Sequence, residues 1–186
     1  MQQETLATPV WVDAVIEFWF SEIGDPGWWA KDDTIDDRIR ERFGSVRDEL
    51  ARGNVRLTGG RALLAGVIVL DQFSRNLFRG SPRAYDADPL ARELARQAIE
   101  RGLDLAMQPE ERMFLYLPFE HSEEREDQAL AVDLISQLGN DEWTRFAKAH
   151  KALIERFGRF PHRNAILGRD STADELEALK DPMNSY

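Results

Sequence analysis

Apolar side chains recur along this chain at the three-to-four-residue spacing of helices and nowhere sustain the alternation of a strand. Val12, Val15, Ile16, Trp19 and Phe20 form the first run, behind a Thr8–Pro9 pair that reads as an N-cap with proline at the first helical position. "GDPGWW" interrupts it, and Trp28 and Trp29 in that turn read as cover for the edge of the core. A second amphipathic segment from about Thr34 turns Ile35, Ile39, Phe43, Val46 and Leu50 inward and "DDRIRER" outward. Thr58 is the expected cap of a third helix, "GGRALLAGVIVLDQFSRNLF", which is apolar on nearly every face through Leu70 and therefore central.

Punctuation delimits the rest. Asp88 and Pro89 open a helix that Gly102 closes, and Pro109 opens the next, with Pro118 marking a break after it. Ser122 is the expected cap of a helix ending at Gly139. Asn140 or Asp141 caps another that ends at Gly158, and Thr172 with Glu175 forms a capping box for a short last helix. The prediction is an all-α fold of about eight helices. Pro89 to Glu123 is a step of 34 and Pro109 to Glu142 a step of 33, the spacing of a tetratricopeptide unit. The side-chain signature of that repeat is largely missing. The period thus supports stacked antiparallel helical hairpins in a tetratricopeptide-like right-handed superhelix, and says little about a peptide-binding groove.

Composition narrows the function classes. At 186 residues the chain suits a single domain, 1–186. A net charge of −10, with no basic tail or basic helix, argues against nucleic acid and membrane as partners. The N-terminal stretch lacks a basic region and its apolar run is broken by Asp13 and Glu17, so the expected location is cytoplasmic. Without cysteine there is no disulfide, thiolate nucleophile or cysteine-based metal site. Lysine occurs only at 31, 148, 151 and 180, whereas arginine, the side chain suited to bidentate pairing with carboxylate or phosphate, is abundant.

Three stretches carry polar residues beyond what helix punctuation needs. Asp71, Gln72, Arg75 and Asn76 follow directly on the buried run to Leu70, with Asp71 and Arg75 one turn apart. A helix buried that far does not become free on all sides one residue later, so these groups need partners. "LPFEHSEERED" places Glu120 and His121 at a break that Ser122 and the following acids explain only in part. In "FGRFPHRNAILGR", Gly158 and Pro161 are punctuation and Phe157 and Phe160 core anchors. Arg159, His162, Arg163 and Asn164 are surplus to those duties, and a helix start beside Arg and His suits an anion.

Familiar catalytic patterns are missing. "TGGRALLAG" lacks the Lys-Ser/Thr of a phosphate loop and follows no strand, so Gly59 and Gly60 read as a helix entry and Gly66 as a point of close packing. Ser74, His121 and Asp71 make a triad only on paper, for no nucleophile elbow surrounds the serine. His121, His150 and His162 with Asp71 or Glu120 show no metal-ligand spacing, so no metal and no cofactor is expected.

Together "LDQFSRNLFRGSPRAYDADPLA", "FLYLPFEHSE" and "FGRFPHRNAILGRDST" resemble the bacterial family known as domain of unknown function 924, over nearly the whole chain. The resemblance implies a tetratricopeptide-like helical fold and no assigned activity. Ser74 stands where that family more often has proline, and serine lets the helix run on.

The expected function is a binding module with a polar, Arg- and His-lined pocket for a small anionic ligand or a peptide carboxylate, its oligomeric state open. Asp71, Gln72, Arg75 and Asn76 form the floor, His121 comes from one break, and Arg159, His162, Arg163 and Asn164 from the other. The alternative is an enzyme of hydrolase type using His121 or His162 with Asp71 or Glu120. A second alternative is a scaffold in which the polar cluster only pins helices together.

Overall fold

The computed structural model describes residues 8–53, 55–181 and 184. The first seven residues, part of the stretch read above for a targeting signal, lie outside them. Among the described residues ten α-helical segments are formed: α1 (Trp11–Glu17), α2 (Gly24–Gly27), α3 (Asp33–Ala51), α4 (Gly60–Val67), α5 (Ser74–Leu77), α6 (Asp88–Glu100), α7 (Pro109–Glu120), α8 (Arg125–Ser136), α9 (Asp141–Phe157) and α10 (Ala173–Ala178). Short 3₁₀ turns intervene, and no strand is present among the described residues. None of the described helices is long and apolar enough to cross a membrane.

Contacts gather the chain into two compact units. One runs through Arg79 and resumes at Arg83–Met107; the other holds Gly80–Pro82 and continues from Gln108.

In the first unit the predicted long third helix is one rod with a widened waist. α4 passes into a π-helical turn, Ile68–Phe73, and then into α5. Every residue from Ala62 to Ser74 is buried, as the all-round apolar pattern requires. The Phe73 ring stacks on Phe43 of α3 at 5.2 Å, with Phe18 and Trp19 set edge-on at 5.9 and 5.6 Å. A Cβ at Gly66 would lie 2.5 Å from Leu57 Cδ1 and 2.8 Å from Leu94 Cδ1, so the helix is closely packed there and any added side chain must displace these two leucine ends. Trp28 donates its indole N–H to the Trp19 carbonyl at 2.7 Å.

Several expected boundaries move. Neither Thr8 nor Thr58 is a cap: α1 starts at Trp11, and α4 is entered through Gly59, whose φ of 85° only glycine adopts readily. Along α3, Val46 is only half-buried and Arg47 takes the interior position, while Asp36 of the "outward" segment is buried. The charged groups go inside because each has partners there. Arg47 donates to Ser74 Oγ at 3.0 Å and to the Arg83 carbonyl at 3.2 Å, and pairs with Asp86.

In the second unit α7 packs on α8 and α8 on α9, each pair joined by a four-residue connection, 121–124 and 137–140. Gln108 and Glu111 complete a capping box on α7, Asn140 caps α9, and Thr172 with Glu175 caps α10. Pro118 lies inside α7 rather than ending it. Ser122 is not the cap of α8, which begins at Arg125; its hydroxyl donates to Asp127 and accepts from the Glu124 N–H. The steps between helix starts therefore become 37, from Asp88 to Arg125, and 32, from Pro109 to Asp141.

Candidate functional site

The chemistry-bearing residues fall into a salt-bridged network in the first unit and a histidine cluster in the second. In the network, Asp71 and Gln72 sit on the π-helical turn, 0% and 8% exposed. Gln72 donates to Asp71 Oδ2 at 2.6 Å. Arg75, one turn on, lies 3.0 Å from Asp71 Oδ1 and grips Asp88 at the start of α6 with two bonds of 3.0 Å each. Burial disfavours the Arg75 charge, but the carboxylates of Asp71 and Asp88 more than restore it, and its pKa is raised. Asn76 donates to Asp36 Oδ1 at 2.7 Å, and Arg79 holds both Asp36 oxygens at 2.6 and 2.9 Å. The surplus polarity after Leu70 thus ties this rod to α3 and α6.

The cluster in the second unit is built from three segments. α7 delivers Glu120 at its last turn and His121 at its C-cap. α9 carries Ala147, His150, Leu153 and Ile154 on its buried face, so His150 occupies a core register position. Gly158, at φ 71°, ends α9 with a left-handed turn, and Pro161–Arg163 form a 3₁₀ turn.

All three histidines of the chain meet there. The His121 and His150 rings are 6.3 Å apart between centroids. Phe160 stands at the centre, edge-on to His150 at 5.5 Å, tilted against His162 at 5.5 Å, and covered by the Arg163 guanidinium at 4.5 Å. His150 Nδ1 is 2.9 Å from the Phe146 carbonyl and 3.0 Å from Glu120 Oε1. Two acceptors facing Nδ1 put the proton on that nitrogen. Burial first, then the neighbouring His121, His162 and Arg163, push the His150 pKa down to about 3, so its ring is neutral at physiological pH. Glu120, His150 and Arg163 are buried, whereas His121 and His162 keep part of their surface in solvent.

Arg159 and Asn164 turn elsewhere. Arg159 binds both oxygens of Glu175 at 2.7 and 2.9 Å and the Asp170 carbonyl at 2.7 Å. Asn164 donates to Ser171 at 3.0 Å and accepts from Arg169 Nε at 3.0 Å. Arg169 also holds both oxygens of Glu123 at 2.8 and 2.9 Å, and Glu123 accepts the Phe160 N–H at 2.8 Å. This girdle fixes the loop that presents His162 and Arg163. In the sequence His150 stands out only among the candidate metal ligands, and Glu123 only as one of the acids that follow Ser122. The signal for His150 was its place among Ala147, Leu153 and Ile154; Glu123 and Arg169, 46 residues apart, offered none.

Among the described residues no group of three or more His, Cys, Asp or Glu side chains is set to hold a metal ion. What the cluster offers is positive charge beside protonatable rings, together with a carboxylate-imidazole pair.

Residues 15–183 match the family described as a bacterial protein of unknown function, DUF924. Among solved structures, the chain is similar to the protein of unknown function ATU0120 from Agrobacterium tumefaciens, with 39% identity, 94% of this chain and 99% of that one covered, and a TM-score of 0.89. No curated protein matches the chain.

Proposed function

We propose that this chain, which belongs to the bacterial DUF924 family of unknown function, is a cytoplasmic binding module that seats a small anion or a peptide carboxylate against the exposed parts of His121 and His162, with Arg163 supplying the fixed charge. The observation that carries the reading is the gathering of His150, His162 and Arg163 on Phe160, with His121 beside His150. In a protein of net charge −10, a local group of one guanidinium and two solvent-reached imidazoles is a place where an anion is attracted rather than repelled. His150 and Glu120, buried behind them, hold the rings in place. Arg75, engaged by Asp71 and Asp88, acts here as a structural tie together with Asn76. Arg159 and Asn164 act as fastenings of the loop. The packing of α7 on α8 and α8 on α9 supports reading these helices as tetratricopeptide-like hairpins.

Thermal unfolding with added inorganic phosphate, succinate or a short peptide with a free C-terminus tests the reading. A site filled at a hundred times its dissociation constant stabilises the fold by about 2.7 kcal/mol. That corresponds to a rise of roughly 5–10 °C for a chain of this size. Arg163→Met keeps the apolar stem over Phe160 and removes the charge, and is expected to abolish the rise while the protein stays folded. Equal stabilisation of wild type and variant overturns the proposal.

The contact between Glu120 Oε1 and His150 Nδ1 favours a second reading. A buried carboxylate-imidazole pair set behind His121 is the support a general base at that ring needs, and the chain would then be an enzyme, of hydrolase type, working through His121. Turnover of any ester, amide or phosphoester in a broad screen, lost in His150→Gln or His121→Gln, selects this reading over simple binding.

A further inference from the structure

Gln128 lies on the first turn of α8 and is fully buried. Its side chain does not serve its own helix. The Nε2 group donates to the Glu120 carbonyl at 2.6 Å and the Ser122 carbonyl at 2.7 Å, and approaches the Phe119 carbonyl at 3.4 Å. With carbonyl oxygens on that side, the amide has a single workable orientation, because the flipped form would set oxygen against oxygen. Oε1 is consequently left buried without a hydrogen-bond partner among the described residues. A group that leaves one of its own atoms unsatisfied to gather these carbonyls is placed for them.

Those carbonyls bracket His121. One belongs to Glu120, whose carboxylate meets His150, and another to Ser122, the residue before the Glu123 that accepts the Phe160 N–H. We infer that Gln128 is a positioning residue for the histidine cluster, its buried amide holding the backbone on both sides of His121 so that Glu120 and His121 keep their places against His150. This deepens the anion-binding reading and rests on it only for the purpose the cluster serves; the positioning itself is independent of any ligand.

The groups facing His150 are Glu120 from α7, His121 from the break, His162 and Arg163 from the 3₁₀ turn, and the Phe146 carbonyl on its own helix. Burial is the largest influence holding this ring neutral. Releasing the end of α7 lets water reach it. A loss of stability alone, by contrast, leaves the titration of the folded protein unchanged.

With three histidines, the imidazole resonances of the full chain are few enough to follow individually by NMR. In the wild type the His150 signal is expected to stay flat between about pH 8 and about pH 5, since its titration lies below that window. In Gln128→Met, which fills the same space without the donor, it is expected to titrate within the window. Gln128→Asn, which keeps the amide but withdraws it by one methylene, is expected to do the same. A flat His150 signal in either variant, folded by circular dichroism, reduces Gln128 to a helix-end fastening and overturns the inference. So does failure of both variants to fold. No ligand enters the measurement, so its outcome is separate from that of the anion-binding test.

Discussion

His150 Nδ1 lies 3.0 Å from Glu120 Oε1, joining the middle of α9 to the last residue of α7 through two buried side chains. The pair sets the spacing of the histidine cluster, because Glu120 is followed directly by His121 and His150 is packed against Phe160. Glu120→Ala leaves the His150 donor short of one acceptor and opens a small void. Its expected cost is about 1–3 kcal/mol in a urea or guanidinium titration. Glu120→Gln keeps an oxygen at the same distance and is expected to cost less than Glu120→Ala. Equal midpoints for wild type and Glu120→Ala would show that the contact holds nothing together.

Arg75 is the single cation between Asp71 and Asp88 in the bonds described above. Arg75→Met leaves two buried carboxylates facing each other, so the expected loss is about 3–5 kcal/mol, the range for breaking a buried pair from one side. Differential scanning calorimetry should show a melting temperature lower by roughly 2–4 °C per kcal/mol. The phosphate- or carboxylate-induced rise, if the protein remains folded, is expected to persist in this variant. Its loss there would bring Arg75 back as an anion-binding residue.

Acid is expected to loosen the loop girdle. Hydrogen bonds from Arg159, above all, hold the Glu175 carboxyl down to about 2, below its ordinary value of 4.5. Burial raises the Glu123 carboxyl, but hydrogen bonds from Arg169 and the Phe160 N–H outweigh this and leave it below its ordinary value. A carboxyl lowered in the folded state contributes fully above its unfolded value and loses that contribution as pH falls through the folded one. Stability should therefore decline from about pH 4.5 toward about pH 2. Urea titrations across that range should show a shallower decline for Glu175→Gln. The same slope in both proteins would count against a native-state role for the Glu175 charge.

Gly66 sits where α4 meets Leu57 and Leu94. A single methyl pushes only the ends of two leucine side chains, and the better helix propensity of alanine, about 1 kcal/mol, works against that strain. Gly66→Ala is thus expected to be near neutral, whereas Gly66→Val overpacks the site and costs about 1–3 kcal/mol. Thermal melts of the two variants separate the effects, and an unperturbed Gly66→Val protein would mean that α4 has room to move.

Much of the fold is written in local pattern. The burial of Ala62–Ser74, the Asn140 cap, the capping box of α10 and the left-handed turn at Gly158 all follow from neighbours within one or two helical turns. Boundaries moved where the expected punctuation took another role: Ser122 turned to Asp127, five residues on, and α7 kept Pro118 within it. The candidate site was half legible. His121, His162 and Arg163 stood out because capping did not explain them; His162 and Arg163 lie against Phe160, and His121 beside His150. Their neighbours Arg159 and Asn164 stood out equally, yet face Glu175 and Ser171.

The sequence by itself determined the all-α class, the helix order and the surplus polar residues, since each depends on spacing and on hydrogen bonds local in the chain. Only the tertiary structure decided which surplus residue became a tie and which joined the cluster. Asp36 against Arg79 and Glu123 against Arg169 are pairings across 43 and 46 residues. Such partners leave no periodic trace, because a guanidinium accepts whichever carboxylate the packed helices bring to it, and that choice is made by the folded backbone.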